Sequence, residues 1–123
     1  MYTLDTNAVL YYLHGEEQIR PLIDDTLSSG VPLYISAVTI VELLRYPKLG
    51  SAEELGIQAF IPACSVINID TSIAQQAGKL GRTYNLKLGD SIIAATALFT
   101  GTTLVTRNVR DFKKIPDLAI EAV

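Results

Sequence analysis

Short apolar runs alternate along this chain with longer segments in which apolar residues recur at helical spacing. The runs predict strands at residues 2–4, 32–35, 66–69 and 103–105, and a fifth strand within residues 118–123. The periodic segments predict helices at residues 8–13, 16–27, 37–46, 52–61, 71–84 and 90–99. Strands that alternate with helices favour a mostly parallel sheet flanked by helices, so we expect one α/β domain over residues 1–123 with four to five strands.

Polar residues at the ends of these segments support the boundaries. Asp5, Thr6 or Asn7 can cap the first helix, and Ser36 can cap the third. Gly101 can end the last long helix, because glycine readily adopts the left-handed conformation there. Residues 107–114, which follow the fourth strand, are interpreted as a charged loop.

Four acidic residues stand at or just after apolar runs, where an ionised group is costly unless something binds it. Asp5 follows the first strand, Glu42 interrupts the apolar third helix, Asp90 opens the last long helix, and Asp111 lies in the charged loop. Ligands of open α/β sheets bind at the carboxyl ends of the strands, which is where this topology places the acids. Clustered carboxylates usually bind hard divalent cations, so the pattern favours Mg²⁺ or Mn²⁺ and phosphodiester chemistry.

Each acid also has an ordinary structural interpretation. Asp5 and Asp90 can be helix N-caps, and Glu42 can pair with Arg45 one helical turn away. Asp111 can belong to a surface ion pair in the charged loop. For Asp5 both interpretations hold together if one carboxylate oxygen caps the helix and the other meets a cation.

Composition excludes several other chemistries. A single histidine and a single cysteine exclude histidine-rich zinc sites, thiolate clusters and internal disulfides. No apolar stretch is long enough to span a bilayer, and no basic segment opens the chain as in a signal peptide, so we expect a cytoplasmic protein. The net charge is −3, but residues 107–114 carry four basic and one acidic side chain, which offers a basic edge to a polyanion or forms a solvated loop.

Four segments, taken in order, resemble a PIN domain: residues 4–7 with Asp5, residues 39–45 with Glu42, residues 88–95 with Asp90, and residues 103–112 with Asp111. The resemblance covers essentially the whole chain, and the length and closing segment resemble VapC-type toxins of toxin–antitoxin pairs. It implies an endoribonuclease that depends on Mg²⁺ or Mn²⁺. It also implies a homodimer that is inhibited by an antitoxin whose tail enters the active site.

The resemblance implies that Asp5, Glu42 and Asp90 bind the metal, and that Asp111 or Asn108 completes the acidic site. Gly89 stands where many relatives carry proline, a change that should not disturb Asp90.

Polar and basic neighbours of the acids complete the predicted site. We expect Thr6, Asn7, Thr106 and Asn108 to position the substrate or the attacking water. We expect Arg107 and Arg110 to contact backbone phosphates of RNA.

Two other classes share parts of this pattern. A metal-dependent phosphatase or phosphotransfer domain has the same α/β alternation and an acid after the first strand, although Asn7 stands where one such class carries a second aspartate. A non-catalytic RNA-binding module with the same fold is the other alternative.

Overall fold

The computed structural model covers residues 1–123 and contains five strands and seven α-helices, with one short 3₁₀ turn at Ile61–Ala63. The strands are β1 (Tyr2–Leu4), β2 (Leu33–Ser36), β3 (Ser65–Ile67), β4 (Thr103–Thr106) and β5 (Ile120–Ala122). The helices are α1 (Thr6–Leu13), α2 (Arg20–Ser29), α3 (Ala37–Leu44), α4 (Ser51–Phe60), α5 (Thr71–Tyr84), α6 (Leu88–Thr100) and α7 (Val109–Phe112). None of these helices has the length and apolar character needed to cross a membrane.

The five strands form one sheet in the order β3-β2-β1-β4-β5, and every neighbouring pair is parallel. This confirms the predicted α/β architecture. Strand β1 lies at the centre, where Leu4 pairs with Ile35 of β2 and with Val105 of β4. The residue after Leu4 is Asp5 and the residue after Val105 is Thr106, so the register brings these two polar residues together at the carboxyl edge.

Helices cover both faces of the sheet, as the strand pattern requires. On one face, the apolar side chains of α1, α2 and α4 pack with Leu4, Ile35 and Val105 in the main core cluster. On the other face, α6 packs against β1, β2 and β4 as well as against α5. Three alanines of α6 are fully buried, which allows this close approach: Ala94, Ala95 and Ala97.

Most predicted boundaries differ from the structure by one or two residues, and two elements depart further. Helix α2 begins at Arg20, four residues later than predicted, and its N-cap Ile19 makes no side-chain capping bond. Helix α3 ends at Leu44 rather than at residue 46. The supposed charged loop contains helix α7, which buries Phe112 completely. The interpretation of residues 107–114 as loop throughout was therefore wrong.

Candidate active site at the carboxyl edge of the sheet

Asp5 is held at the centre of the carboxyl edge by hydrogen bonds to both carboxylate oxygens. Its Oδ1 accepts the backbone N–H of Ala8 at 2.7 Å, which makes Asp5 the N-cap of α1. Its Oδ2 accepts the Thr106 hydroxyl at 2.5 Å, and the Thr106 oxygen accepts the backbone N–H of Asn108 at 2.9 Å. The N-cap interpretation is thus confirmed. Each carboxylate oxygen has two lone pairs, so capping leaves acceptor capacity for a cation.

The side chain of Asp5 is buried, with 5 % of its surface exposed. Burial raises the pKa of this carboxyl above its usual value, the hydrogen bonds from Thr106 and Ala8 oppose the shift, and the charge of Glu42 adds to it. The charged form of Asp5 is therefore stabilised by two hydrogen-bond donors and destabilised by burial and by the charge of Glu42. A cation would relieve that conflict.

Glu42 reaches the same edge from α3. Its Oε1 accepts the hydroxyl of Thr6 at 2.6 Å, and Thr6 also contacts the Thr39 hydroxyl at 3.3 Å. The alternative pairing with Arg45 is wrong, because the ion pairs of the structure do not include it. Thr6 thus positions an acidic side chain of the site, although the sequence suggested a role toward substrate or water.

Asp90 lies in the first turn of α6, where the N-cap is Lys87. The alternative interpretation of Asp90 as the N-cap is therefore wrong, although the residue still lies at the positive end of the helix dipole. Burial is the main reason that the pKa of Asp90 is raised, and the charges of Asp5, Glu42 and Asp111 raise it further while Lys87 lowers it. The four predicted acids therefore share one electrostatic environment.

Asp111 lies at the edge of this group, in α7. Its Oδ2 accepts the side-chain amide of Asn108 at 3.1 Å, and its Oδ1 lies 3.7 Å from Lys114 Nζ. The hydrogen bond from Asn108 is the largest cause of a lowered pKa for Asp111. The surface ion pair considered from the sequence is present. Asn108 and Asp111 contact each other, so the two candidates for the fourth position form one unit.

The basic side chains divide into two groups. Arg107 lies over the ring of Tyr11 at 3.9 Å, and its guanidinium contacts Glu16 at 3.5 Å and the Val123 carbonyl at 3.0 Å. These contacts direct it to the turn after α1 rather than to the acids. Arg110 is exposed on α7, close enough to lower the pKa of Asp111.

The donor set fits a hard divalent cation. Asp5, Glu42 and Asp90 supply oxygen only, and none of them forms an ion pair with a basic side chain. No group of three carboxylate, imidazole or thiol side chains stands close enough to hold an ion alone. Mg²⁺ commonly takes one or two carboxylates and keeps several waters, which is the binding mode that these side chains can provide.

Two adjoining cavities form a groove, here called the α1–α4 groove, that leads away from the acids. One cavity, of about 300 Å³, begins at Thr6, Asn7 and Glu42. The other, of about 250 Å³, extends along α4 past Gly56. They share the side chains of Leu10, His14 and Glu53.

No pattern in the sequence predicts that these three residues line one cavity. Leu10 and His14 lie some forty positions before Glu53 in the chain, and helical spacing within one segment cannot reveal a cavity between two helices.

Comparisons with known proteins agree with this geometry. The family model described as PIN domain matches residues 2–118. The chain is 30 % identical to a protein named Ribonuclease VapC19 from Mycobacterium tuberculosis, over 96 % of this chain and 97 % of that one. It is also 30 % identical to a tRNA(fMet)-specific endonuclease VapC from Salmonella typhimurium, over 98 % and 96 % of the two chains. A solved structure of DNA-bound VapBC from Salmonella typhimurium is similar with a TM-score of 0.82 and 28 % identity, covering 98 % of this chain and 96 % of that one.

Proposed function

Because this chain belongs to the PIN domain family and aligns end to end with VapC ribonucleases, we propose that it is a Mg²⁺- or Mn²⁺-dependent endoribonuclease, the toxin of a toxin–antitoxin pair. The observation that carries the proposal is that Asp5, Glu42 and Asp90, from three separate elements, lie near enough for the charges of Asp5 and Glu42 to act on Asp90. The pKa of Asp90 is raised in part by the other two charges. That arrangement favours cation binding over a purely structural use of the acids.

The residues have distinct roles in this proposal. When bound, the divalent cation would lower the cost of the charge that develops on the phosphate and would activate water for attack. Asp5 and Asp90 hold it, and Glu42 binds it or orients the attacking water. Thr106 fixes the Asp5 carboxylate through its hydroxyl. Asn108 fixes Thr106 through its backbone N–H and holds Asp111 through its amide.

Contacts to substrate come from the rim of the site. Asn7 is exposed on α1 beside the acids, and Arg110 is exposed on α7. A basic side chain there can contact backbone phosphates of RNA without reading its sequence. Arg107 contacts Tyr11 and Glu16, so it could reach an RNA phosphate only with the exposed part of its guanidinium group.

The partner in this proposal is an antitoxin protein, because the chain also resembles a chain of a solved toxin-antitoxin complex from Klebsiella pneumoniae. The α1–α4 groove is partly apolar and carries Glu53 along its length and Glu42 at its end. A peptide with apolar side chains and a basic residue would complement it in shape and charge. By occupying the end at Glu42, such a peptide would block the site.

Membership of the PIN domain family also supports a proposal about the oligomeric state and the cellular location of this chain. Val41 precedes Glu42 and Leu88 lies two residues before Asp90, and they leave 59 % and 78 % of their surfaces exposed. We propose that a second copy of this chain covers them and that the enzyme works in the cytoplasm. Light scattering of the purified protein would show whether it is a dimer.

Substitution of the acids tests the catalytic proposal. Asp5→Asn and Asp90→Asn are expected to abolish RNA cleavage in Mn²⁺ while both variants still unfold cooperatively. Asp117→Asn is the matched control, because Asp117 is an exposed aspartate outside the site. Cleavage would be followed on a transfer RNA pool and on total RNA, with chelator added and then excess Mn²⁺.

Three results would decide the question. Cleavage that disappears with chelator, returns with Mn²⁺ and is lost only in the two site variants supports the proposal. Full cleavage by both site variants would overturn it. Release of phosphate from small phosphoesters without RNA cleavage would favour the phosphotransfer alternative.

A further inference from the structure

Gly89 occupies a position where its backbone conformation does not require glycine. It is the second residue of α6, and its φ lies outside the left-handed region that favours glycine. Glycine within a helix is less favourable than alanine, because it loses more conformational freedom on folding. Its presence here therefore needs a reason other than backbone geometry.

The surroundings of Gly89 supply that reason. A Cβ atom at this position would stand 2.5 Å from Oε2, 3.1 Å from Cδ and 3.3 Å from Oε1 of Glu42. All three of these nearest atoms belong to one carboxylate group. The glycine thus leaves open the volume that the Glu42 carboxylate fills.

The Glu42 carboxylate is consequently bounded on two sides by other elements. Thr6 of α1 donates its hydroxyl to Oε1 at 2.6 Å, and the backbone of Gly89 in α6 faces Oε2. Asp90 follows Gly89 directly, and its charge interacts with that of Glu42. The absence of a side chain at residue 89 therefore lets the Glu42 carboxylate of α3 lie against the backbone of α6, one residue before Asp90.

We infer that Gly89 is a positioning residue that fixes where the Glu42 carboxylate stands for divalent-cation binding. The inference rests on the proposed function, since it concerns the same cation. A methyl group at residue 89 would displace the Glu42 carboxylate from the position in which it accepts the Thr6 hydroxyl. The Glu42 carboxylate would then stand too far from the cation to bind it, either directly or through a water molecule.

Gly89→Ala and its matched control Gly78→Ala test the inference. Gly78 lies within α5, and a Cβ there meets nothing within 4 Å. Mn²⁺ affinity of the purified full chain would be measured by calorimetry, with thermal unfolding in chelator measured alongside. We expect Gly89→Ala to weaken Mn²⁺ binding about tenfold, equivalent to ~1.4 kcal/mol. Gly78→Ala should bind Mn²⁺ as the original chain does.

A double-mutant cycle shows whether the effect passes through Glu42. Glu42→Asp withdraws the carboxylate by one methylene and removes the contact with residue 89. Adding Gly89→Ala to that variant should cost little further affinity, because coupled residues are non-additive. If Gly89→Ala alone fails to unfold cooperatively, the double variant should restore cooperative unfolding.

The possible outcomes separate this inference from the proposed function. Absence of Mn²⁺ binding by the unchanged chain would overturn both. Binding by the unchanged chain and equal affinity in Gly89→Ala would overturn the inference and leave the proposed function standing. The same would follow from an additive cycle, or from a double variant that fails to restore folding.

Discussion

The Thr106 hydroxyl connects two segments that lie about a hundred residues apart in the chain. It donates to Asp5 and accepts from the backbone N–H of Asn108, and it is completely buried. A hydroxyl in this place has no water available to replace either partner. Its removal therefore leaves a buried carboxylate and a backbone donor without their bonds.

Thr106→Val is expected to lower the free energy of unfolding by about 1–3 kcal/mol and to reduce RNA cleavage, because the Asp5 carboxylate loses the bond that orients it. Thr103→Val is the control, since Thr103 lies in the same strand and its hydroxyl makes no hydrogen bond to another side chain or to the backbone. Chemical denaturation and a cleavage assay measure the two effects. Equal losses in both variants would contradict the role given to Thr106, whereas Thr106→Ser should recover most of the cleavage.

Asp90→Asn is expected to raise the thermal stability of the metal-free protein. The pKa of Asp90 is raised in the folded state by burial and by the neighbouring acids. A raised pKa contributes stability below the unfolded value, near pH 4, which is lost as the pH rises through the folded value. At neutral pH the unchanged chain therefore carries the cost of burying a charge, and a smaller repulsion from the neighbouring acids, that the asparagine variant lacks.

Melting temperatures of the two proteins in chelator, followed from about pH 3 to pH 7, would measure this difference. We expect the curves to meet at the acidic end and the variant to melt a few degrees higher at neutral pH. Added Mn²⁺ should reverse the order, because a ligand that binds only the folded state stabilises it. A variant less stable than the original chain at every pH would contradict the repulsion.

At the scale of elements, the sequence predicted helices best where a side chain or a glycine marks the end. Asp70 caps α5 by accepting the N–H of Ile73, and Gly101 ends α6 in the left-handed conformation. The start of helix α2 has no such capping side chain, and it was predicted four residues early, although Gly30 ends the helix in the left-handed conformation. Helix α7 has only four residues, too few to show the helical spacing of apolar residues. Its charged residues favoured an exposed loop, although Phe112 is buried.

The acids of the site were predictable for a similar reason, because each interrupts or follows an apolar run. Their partners were not. The bond from Thr6 to Glu42 and the contact of Gly89 with the same carboxylate join three helices from distant parts of the chain. Such contacts depend on how helices pack, and local spacing carries no information about them.

Ala95→Leu tests the close packing of α6. Ala95 is completely buried and belongs to the cluster formed with Ile73 and Ala77 of α5. Overpacking such a site costs about 1–3 kcal/mol. Because α6 also carries Asp90, we expect weaker Mn²⁺ binding as well. Ala74→Leu on the exposed face of α5 is the control, and a similar stability for both variants in chemical denaturation would contradict this packing.

At the scale of the whole molecule, the α1–α4 groove extends away from the acids, so inhibition can be altered there without altering RNA cleavage. Gly56 lines the groove, and a Cβ atom added there meets nothing within 4 Å. Gly56→Arg should therefore fold normally and cleave RNA, yet resist the antitoxin because the arginine occupies the groove. Gln58→Arg, exposed on the same helix and outside the groove, is the control.

Cleavage of RNA would be measured with increasing amounts of a small protein that co-purifies with the chain and inhibits it. We expect the inhibition curve of Gly56→Arg to shift to higher inhibitor concentration by at least tenfold, about 1.4 kcal/mol, with that of Gln58→Arg unchanged. Identical curves for the two variants would place the inhibitor elsewhere.

The central position of β1 has a consequence for the synthesis of this protein. The first strand to leave the ribosome pairs on one side with β4, and Asp5 receives its hydrogen bond from Thr106 only when that late segment is present. A nascent chain that carries Asp5, Glu42 and Asp90 but not yet β4 therefore lacks both the strand and the hydroxyl that hold Asp5 in place. Under the proposed function, RNA cleavage would have to wait until residues 103–106 have been translated and folded onto β1.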